Sequence, residues 1–142
     1  MPPLLIPNGA VPEAAMKIFD DITRTESLIR WCGIADPVNS YANIEKKYRK
    51  DTAPLITMIG IVVGNEARRE GVERELFLET VERRVDSVSS ATETAAEAEH
   101  SKHIDLCRAL PEQAATQTGL FEPLDRKFPK EMKIIQNQIT KE

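Results

Sequence analysis

The sequence predicts an all-α protein, a helical bundle of about four to five helices with extended proline-rich arms at both ends. Aromatic residues make up only 5% of the 142 residues, so the core must be built from aliphatic side chains, which suits helix packing. Apolar residues recur at intervals of three and four along most of the chain, the period of an amphipathic helix. The length fits one domain with one hydrophobic core.

The N-terminal arm, residues 1–12, reads MPPLLIPNGAVP and contains four prolines and an Asn-Gly turn signal. Proline fixes φ and lacks a backbone N–H, so this arm is predicted to be extended rather than helical. A helical core domain is predicted over residues 13–111. Its first helix begins at Glu13, with Pro12 in the first turn, and ends at Gly33.

The second helix is predicted to begin at Asp36-Pro37, because aspartate is a good cap and proline is tolerated in a first turn. Residues 46–50, the sequence KKYRK, form its basic C-terminal end.

A third helix is predicted to follow, with residues 51–52 as cap candidates and Pro54 in the first turn. Apolar residues from 55 to 63 leave hardly any polar face, so this helix is predicted to be the most buried. Gly60 and Gly64 have the G-x-x-x-G spacing. We interpret it as a small-residue groove where another helix approaches closely.

The fourth helical region has an apolar stripe that runs from residue 72 to residue 110 without a change of phase, up to Pro111. A possible capping box near residue 90 leaves open whether it is one long helix or two. The C-terminal arm, residues 112–142, is predicted to be mostly irregular because of its prolines and glycine. A short amphipathic helix, residues 131–139, is predicted near its end.

Composition and charge restrict the classes of function. A net charge of −4 and a pI near 5.3 disfavour non-specific coating of nucleic acid. The longest apolar stretch, residues 53–63, has about half the length that a membrane span needs. The N-terminus lacks the features of a classical signal peptide, and Cys32 and Cys107 lie far apart. We therefore expect an intracellular protein in a reducing compartment, with no membrane span.

Catalytic and cofactor motifs are missing from the sequence. The chain contains no P-loop, G-x-G-x-x-G, H-E-x-x-H or G-x-S-x-G pattern. The sequence therefore predicts a protein that is not an enzyme and needs no cofactor, and its residues do not resemble a known family.

One helix face carries side chains that are typical metal ligands: Glu97, His100, His103 and Cys107. Glu97 and His100 have the i, i+3 spacing of di-iron bundle sites, but such sites need a second element of this kind. The chain has only two histidines, so that element would have to come from another subunit. The alternative, which we favour, is that this face packs against a neighbouring helix.

The basic run suggests a phosphate-binding site formed by Lys46, Lys47, Tyr48, Arg49 and Lys50. Its cations would bind phosphates, and Tyr48 would stack on a base or ribose. The alternative is structural, because cations in the last turn of a helix complement its dipole.

Large apolar side chains on both arms suggest self-assembly. Exposed to water, they would form a surface of the kind that monomers avoid, so we expect intermolecular contacts, with docking onto the protein's own core as the alternative. The only tryptophan, Trp31, is either an interface anchor or part of the core. The arm residues concerned are Leu4, Leu5, Ile6, Leu120, Phe121, Leu124 and Phe128.

The sequence thus favours a non-enzymatic structural protein, a self-associating helical subunit of an oligomer, filament, viral particle or larger complex. Its expected partners are further copies of itself or other protein subunits. The alternative is a binding module for nucleic acid or another polyanion, acting through residues 46–50. A metal-dependent helical enzyme is the third hypothesis.

Overall fold

The computed structural model describes residues 6–37 and 41–141, which are almost entirely helical and contain no strand, so the all-α prediction is confirmed. No helix within these ranges combines the length and the apolar character that crossing a membrane requires. The elements in chain order are α1 (Ala10–Ala35), α2 (Ala42–Arg69), α3 (Arg74–Ala98), α4 (His100–Thr116), a 3-10 turn (Gly119–Phe121), α5 (Leu124–Lys127) and α6 (Pro129–Lys141).

Helix α1 is the centre of the molecule, because α2, α3, α4 and α6 all pack against it. Its isoleucines at positions 18, 22 and 29 are at most 1% exposed. The helix extends past both predicted ends, and Gly33 does not terminate it: the N–H of Asp36 still bonds to the carbonyl of Cys32. Gly33 and Ile34 are exposed, but Trp31 and Cys32 just before them are buried, and this packing overrides the glycine's low helix propensity.

Helix α2 corrects the prediction of two separate helices, because it runs unbroken through Pro54. The predicted caps bond within this helix: the Thr52 hydroxyl donates to the carbonyl of Tyr48 at 2.8 Å, and Asp51 pairs with Lys47 at 2.6 Å. Pro54 and Lys50 are exposed, so water can replace the one backbone bond that the proline removes. The helix starts at Ala42 rather than at Asp36-Pro37; residues 38–40 lie outside the described ranges.

The second half of α2 also corrects the burial prediction. Ile59, Val62 and Val63 are buried, but Ile61 is 55% exposed and Gly60 is exposed as well. The most buried helix is α1, against which four helices pack, whereas this part of α2 leaves Gly60 and Ile61 exposed.

The region from 72 to 110 forms two helices, separated at the single residue Glu99. The backbone hydrogen bonds nearly continue across this break, since the Glu99 N–H reaches the carbonyl of Ala95 and the His103 N–H reaches the carbonyl of Glu99. Helix α4 then continues through Pro111 to Thr116, so the predicted stop at Pro111 is wrong. Gln117 ends it in the left-handed conformation, with φ at 55°.

The C-terminal arm is more ordered than predicted, since it contains the end of α4, the 3-10 turn, α5 and α6. The short terminal helix is confirmed as α6, with Pro129 as its first residue. Ile135 of α6 is fully buried, and the ammonium of Lys127 pairs with Asp21 of α1 at 3.1 Å. These contacts fasten the arm to the core.

Candidate interaction groove between α2 and α3

The predicted metal ligand Cys107 is engaged elsewhere. Its Sγ is bonded to Sγ of Cys32, with the two Cα atoms 5.5 Å apart, and both residues are fully buried. Our treatment of these residues as separate thiols was therefore wrong. Linear separation misled us, because the fold brings the C-terminal part of α1 against α4. The Cys107 sulfur is not available as a metal ligand or as a nucleophile.

The remaining predicted ligands surround Trp31. The indole N–H of Trp31 donates to Oε1 of Glu97 at 2.8 Å. The rings of His100 and His103 pack edgewise on the indole, with centroids 5.4 and 6.0 Å away. Among the described residues, no group of three or more histidine, cysteine, aspartate or glutamate side chains is arranged to hold a metal ion. The geometry here is that of aromatic packing.

Trp31 itself is only 5% exposed and belongs to the hydrophobic core. Of the two readings of this residue, the structure favours the core position over the interface anchor.

The predicted phosphate site is changed by the burial of Tyr48. This ring is 7% exposed and packs edge to face on Phe121 with centroids 5.8 Å apart, so it is not available to stack on a base. Arg49 pairs with Glu26 at 2.7 Å, and this hydrogen bond raises the pKa of the guanidinium. Lys47 pairs with Asp51, which leaves Lys46 and Lys50 as exposed cations.

The arm side chains that we expected at an intermolecular contact pack instead against the protein's own core. Ile6, Leu120, Phe121, Leu124 and Phe128 are all partly buried there. Leu4 and Leu5 lie outside the described residues. For the described arm residues, the alternative of docking onto the protein's own core accounts for their burial.

An apolar surface remains open elsewhere, between α2 and α3. These helices form a hairpin whose turn contains Gly71 at φ 82°, a conformation that favours glycine. Near the turn the helices touch: a Cβ on Gly64 would lie 3.4 Å from Cε1 of Phe77. Apart from its chain neighbours and the adjacent backbone of α2, no described atom would lie within 4 Å of a Cβ on Gly60, one helical turn earlier. Of the two predicted small-residue positions, only Gly64 is in close contact, and Gly60 borders open space.

The resulting groove has a volume of about 510 Å³. Met16 and Phe19 of α1 contribute to it as well, so three helices line it. Ile61 of α2 is 55% exposed and Leu78 of α3 is 51% exposed. The apolar lining residues are Met16, Phe19, Ile56, Ile59, Gly60, Ile61, Val63, Gly64, Val72, Phe77, Leu78 and Val81.

Polar groups lie at the edges of this groove. Arg68 and Arg74 flank the end near the hairpin turn, and Arg68 donates to Oδ1 of Asn65 at 3.0 Å. Glu82 is exposed on α3, one helical turn beyond Leu78. Arg74 and Glu82 therefore lie on either side of Leu78 along α3.

Sequence reasoning missed this groove, although the sequence contains a signal for it. Leu76, Phe77 and Leu78 are consecutive, and on a helix they cover an arc of about 200°. One neighbouring helix cannot cover such an arc: Phe77 is buried, while Leu76 and Leu78 are 44% and 51% exposed.

Comparisons of the chain with protein-family models, curated proteins and solved structures gave no match.

Proposed function

We propose that this protein is a non-catalytic assembly subunit that self-associates, and that copies join through the groove between α2 and α3. The observation that carries the proposal is the exposure of Ile61 and Leu78 beside an apolar floor that includes Phe19 and Ile59. Contiguous exposed apolar surface of this kind marks interaction sites in folded proteins. The proposal moves the interface that we predicted at the arms to a different part of the molecule.

The energetic gain from covering this surface is appreciable. Each of the two half-exposed side chains contributes about 1 kcal/mol when it is buried, and the floor contributes further area. The polar lining residues are Thr57, Asn65, Arg68 and Arg74, of which all except Asn65 are exposed. An apolar centre with polar groups around it is the usual composition of a protein interface.

Light scattering over a concentration series tests the proposal. The molar mass of the wild type should rise with concentration towards at least a dimer, and Ile61→Asp and Leu78→Asp should remain monomeric. Ile34→Asp and Leu106→Asp are matched controls, because these exposed residues, 80% and 42%, lie outside the groove. Circular dichroism confirms that each variant is folded. The proposal is wrong if the wild type stays monomeric up to about 1 mM, or if the controls lose association equally.

We also propose that the protein acquires its fold in an oxidising compartment, in place of the reducing interior expected from the sequence. The support is the buried disulfide between Cys32 and Cys107, since such bonds persist where thiols are not kept reduced. Protein from its native source, unfolded without reductant and treated with a maleimide, should show no labelled cysteine. Two labelled cysteines per chain would contradict the proposal.

A further inference from the structure

We infer that two copies meet antiparallel along α3, with Leu78 at the two-fold axis, so that Arg74 of each copy faces Glu82 of the other. This inference rests on the proposed self-association and specifies its partner and geometry. The partner is a second copy of this chain.

The first step is the position of three exposed residues on one helix. Arg74, Leu78 and Glu82 follow one another at intervals of four and are all exposed. Each step of four residues advances about 6 Å along the axis and turns by only about 40°, so the three form one stripe. Arg74 and Leu78 of this stripe also line the groove.

The second step is the symmetry of the stripe. Arg74 and Glu82 lie at equal distances before and after Leu78, with opposite charges. A two-fold axis through Leu78 places Arg74 of one copy opposite Glu82 of the other, twice per dimer. A parallel arrangement would place like charges opposite each other, which costs free energy. The charge pattern therefore selects a second copy in the antiparallel orientation.

The third step is that both charges are available. Within the described ranges, neither Arg74 nor Glu82 forms an ion pair, whereas the nearby Arg83 is paired with Glu79 on the same helix. Open space beside Gly60 also allows the partner helix to approach the backbone of α2 closely.

Charge reversal tests this arrangement. Arg74→Glu and Glu82→Arg, each alone, should weaken dimerisation at least about tenfold at low salt, because two attractive contacts become repulsive. The double variant Arg74→Glu/Glu82→Arg should restore the dissociation constant to within about threefold of the wild type. Sedimentation equilibrium measures all four proteins. Arg83→Glu is the control, since Arg83 lies on the same helix about 140° away from Leu78.

The outcomes separate the two claims. If Leu78→Asp abolishes association but the double reversal fails to restore it, the groove is still the interface and the antiparallel arrangement is wrong. If Leu78→Asp leaves association unchanged, the proposed function itself fails. If Arg83→Glu weakens association as much as Arg74→Glu does, the effect is one of net charge and the specific pairing is refuted.

Discussion

Helix α1 and the hairpin of α2 and α3 are both rich in isoleucine and valine, yet they differ in how those side chains are covered. Ile18 and Ile29 of α1 are fully buried, whereas Ile61 of α2 is 55% exposed. Helix α1 has four helices around it, while the second half of α2 is covered on one side and borders the groove on the other. The apolar content of a helix therefore shows how much apolar surface must be buried, but not whether the same chain or a partner molecule buries it.

Removing the disulfide should give the largest loss in the free energy of unfolding, because this bond links the central helix α1 to α4. Cys32 and Cys107 are 75 residues apart, and the chain-entropy model gives about 4 kcal/mol for a loop of this length. Urea unfolding of Cys32→Ser/Cys107→Ser should show a loss of this size, and reduced wild type should match the variant. Association through the groove should be unchanged in the folded variant. A loss below about 1 kcal/mol would show that α4 is held by its other contacts.

Matched isoleucine truncations compare the two regions directly. Ile29→Ala leaves a cavity in the core and should cost about 3 kcal/mol in the free energy of unfolding. Ile61→Ala should cost less than about 0.5 kcal/mol when measured at a concentration where the protein is monomeric. Equal losses at the two positions would mean that the groove is closed in the monomer. Such a result would remove the contrast between α1 and the hairpin.

A smaller effect is expected in the first half of α2, at Tyr48. Its buried hydroxyl lies near Thr25 but has no partner at hydrogen-bonding geometry among the described residues. Burial is the main reason that the pKa of Tyr48 is raised above its ordinary value near 10. At pH 7, Tyr48→Phe should therefore be neutral or stabilise the fold by up to about 1 kcal/mol.

The same substitution predicts a pH dependence. The pKa of Tyr48 is higher in the folded than in the unfolded protein, so the folded state favours the neutral side chain. The contribution of Tyr48 to stability is therefore complete below about pH 10 and falls as the pH rises further. Wild type should therefore lose stability between about pH 9 and pH 11, and Tyr48→Phe should lose less. Urea unfolding at both pH values measures the difference. Destabilisation of Tyr48→Phe by more than about 1 kcal/mol at pH 7 would show that the hydroxyl is satisfied in the fold.

The fold class and the terminal helix were predictable because they follow from apolar periodicity and from Pro129 at a first helical position. The break at Glu99 was not, since Ala95, Ala96, Glu97 and Ala98 are favourable or neutral helix residues. At this break Trp31 makes tertiary contacts on both sides: it donates a hydrogen bond to Glu97 before the break and packs against His100 after it. The sequence also did not predict that α2 continues through Pro54, and the reason is similar. An exposed proline weakens a helix but does not end it when tertiary contacts hold the helical segments before and after it.

The candidate site was less predictable than the fold. Burial of the arms depends on α6 lying along α1, a long-range contact that leaves no periodic signal in the sequence. Exposure of the hairpin depends on how far α2 and α3 diverge beyond the contact of Gly64 with Phe77. The consecutive apolar residues 76–78 show that α3 has more apolar surface than one neighbour can cover. They do not show which part remains open.

The bond between Cys32 and Cys107 closes a covalent ring that includes all of α2 and α3. A protease that cuts the turn between these two helices, at residues 70–73, therefore opens the ring without separating the products. Both fragments stay joined through sulfur, and the nicked protein has the mass of the intact chain plus one water until a reductant separates the fragments. The helical hairpin that contains the groove can thus lose its chain continuity while its two halves remain parts of one molecule.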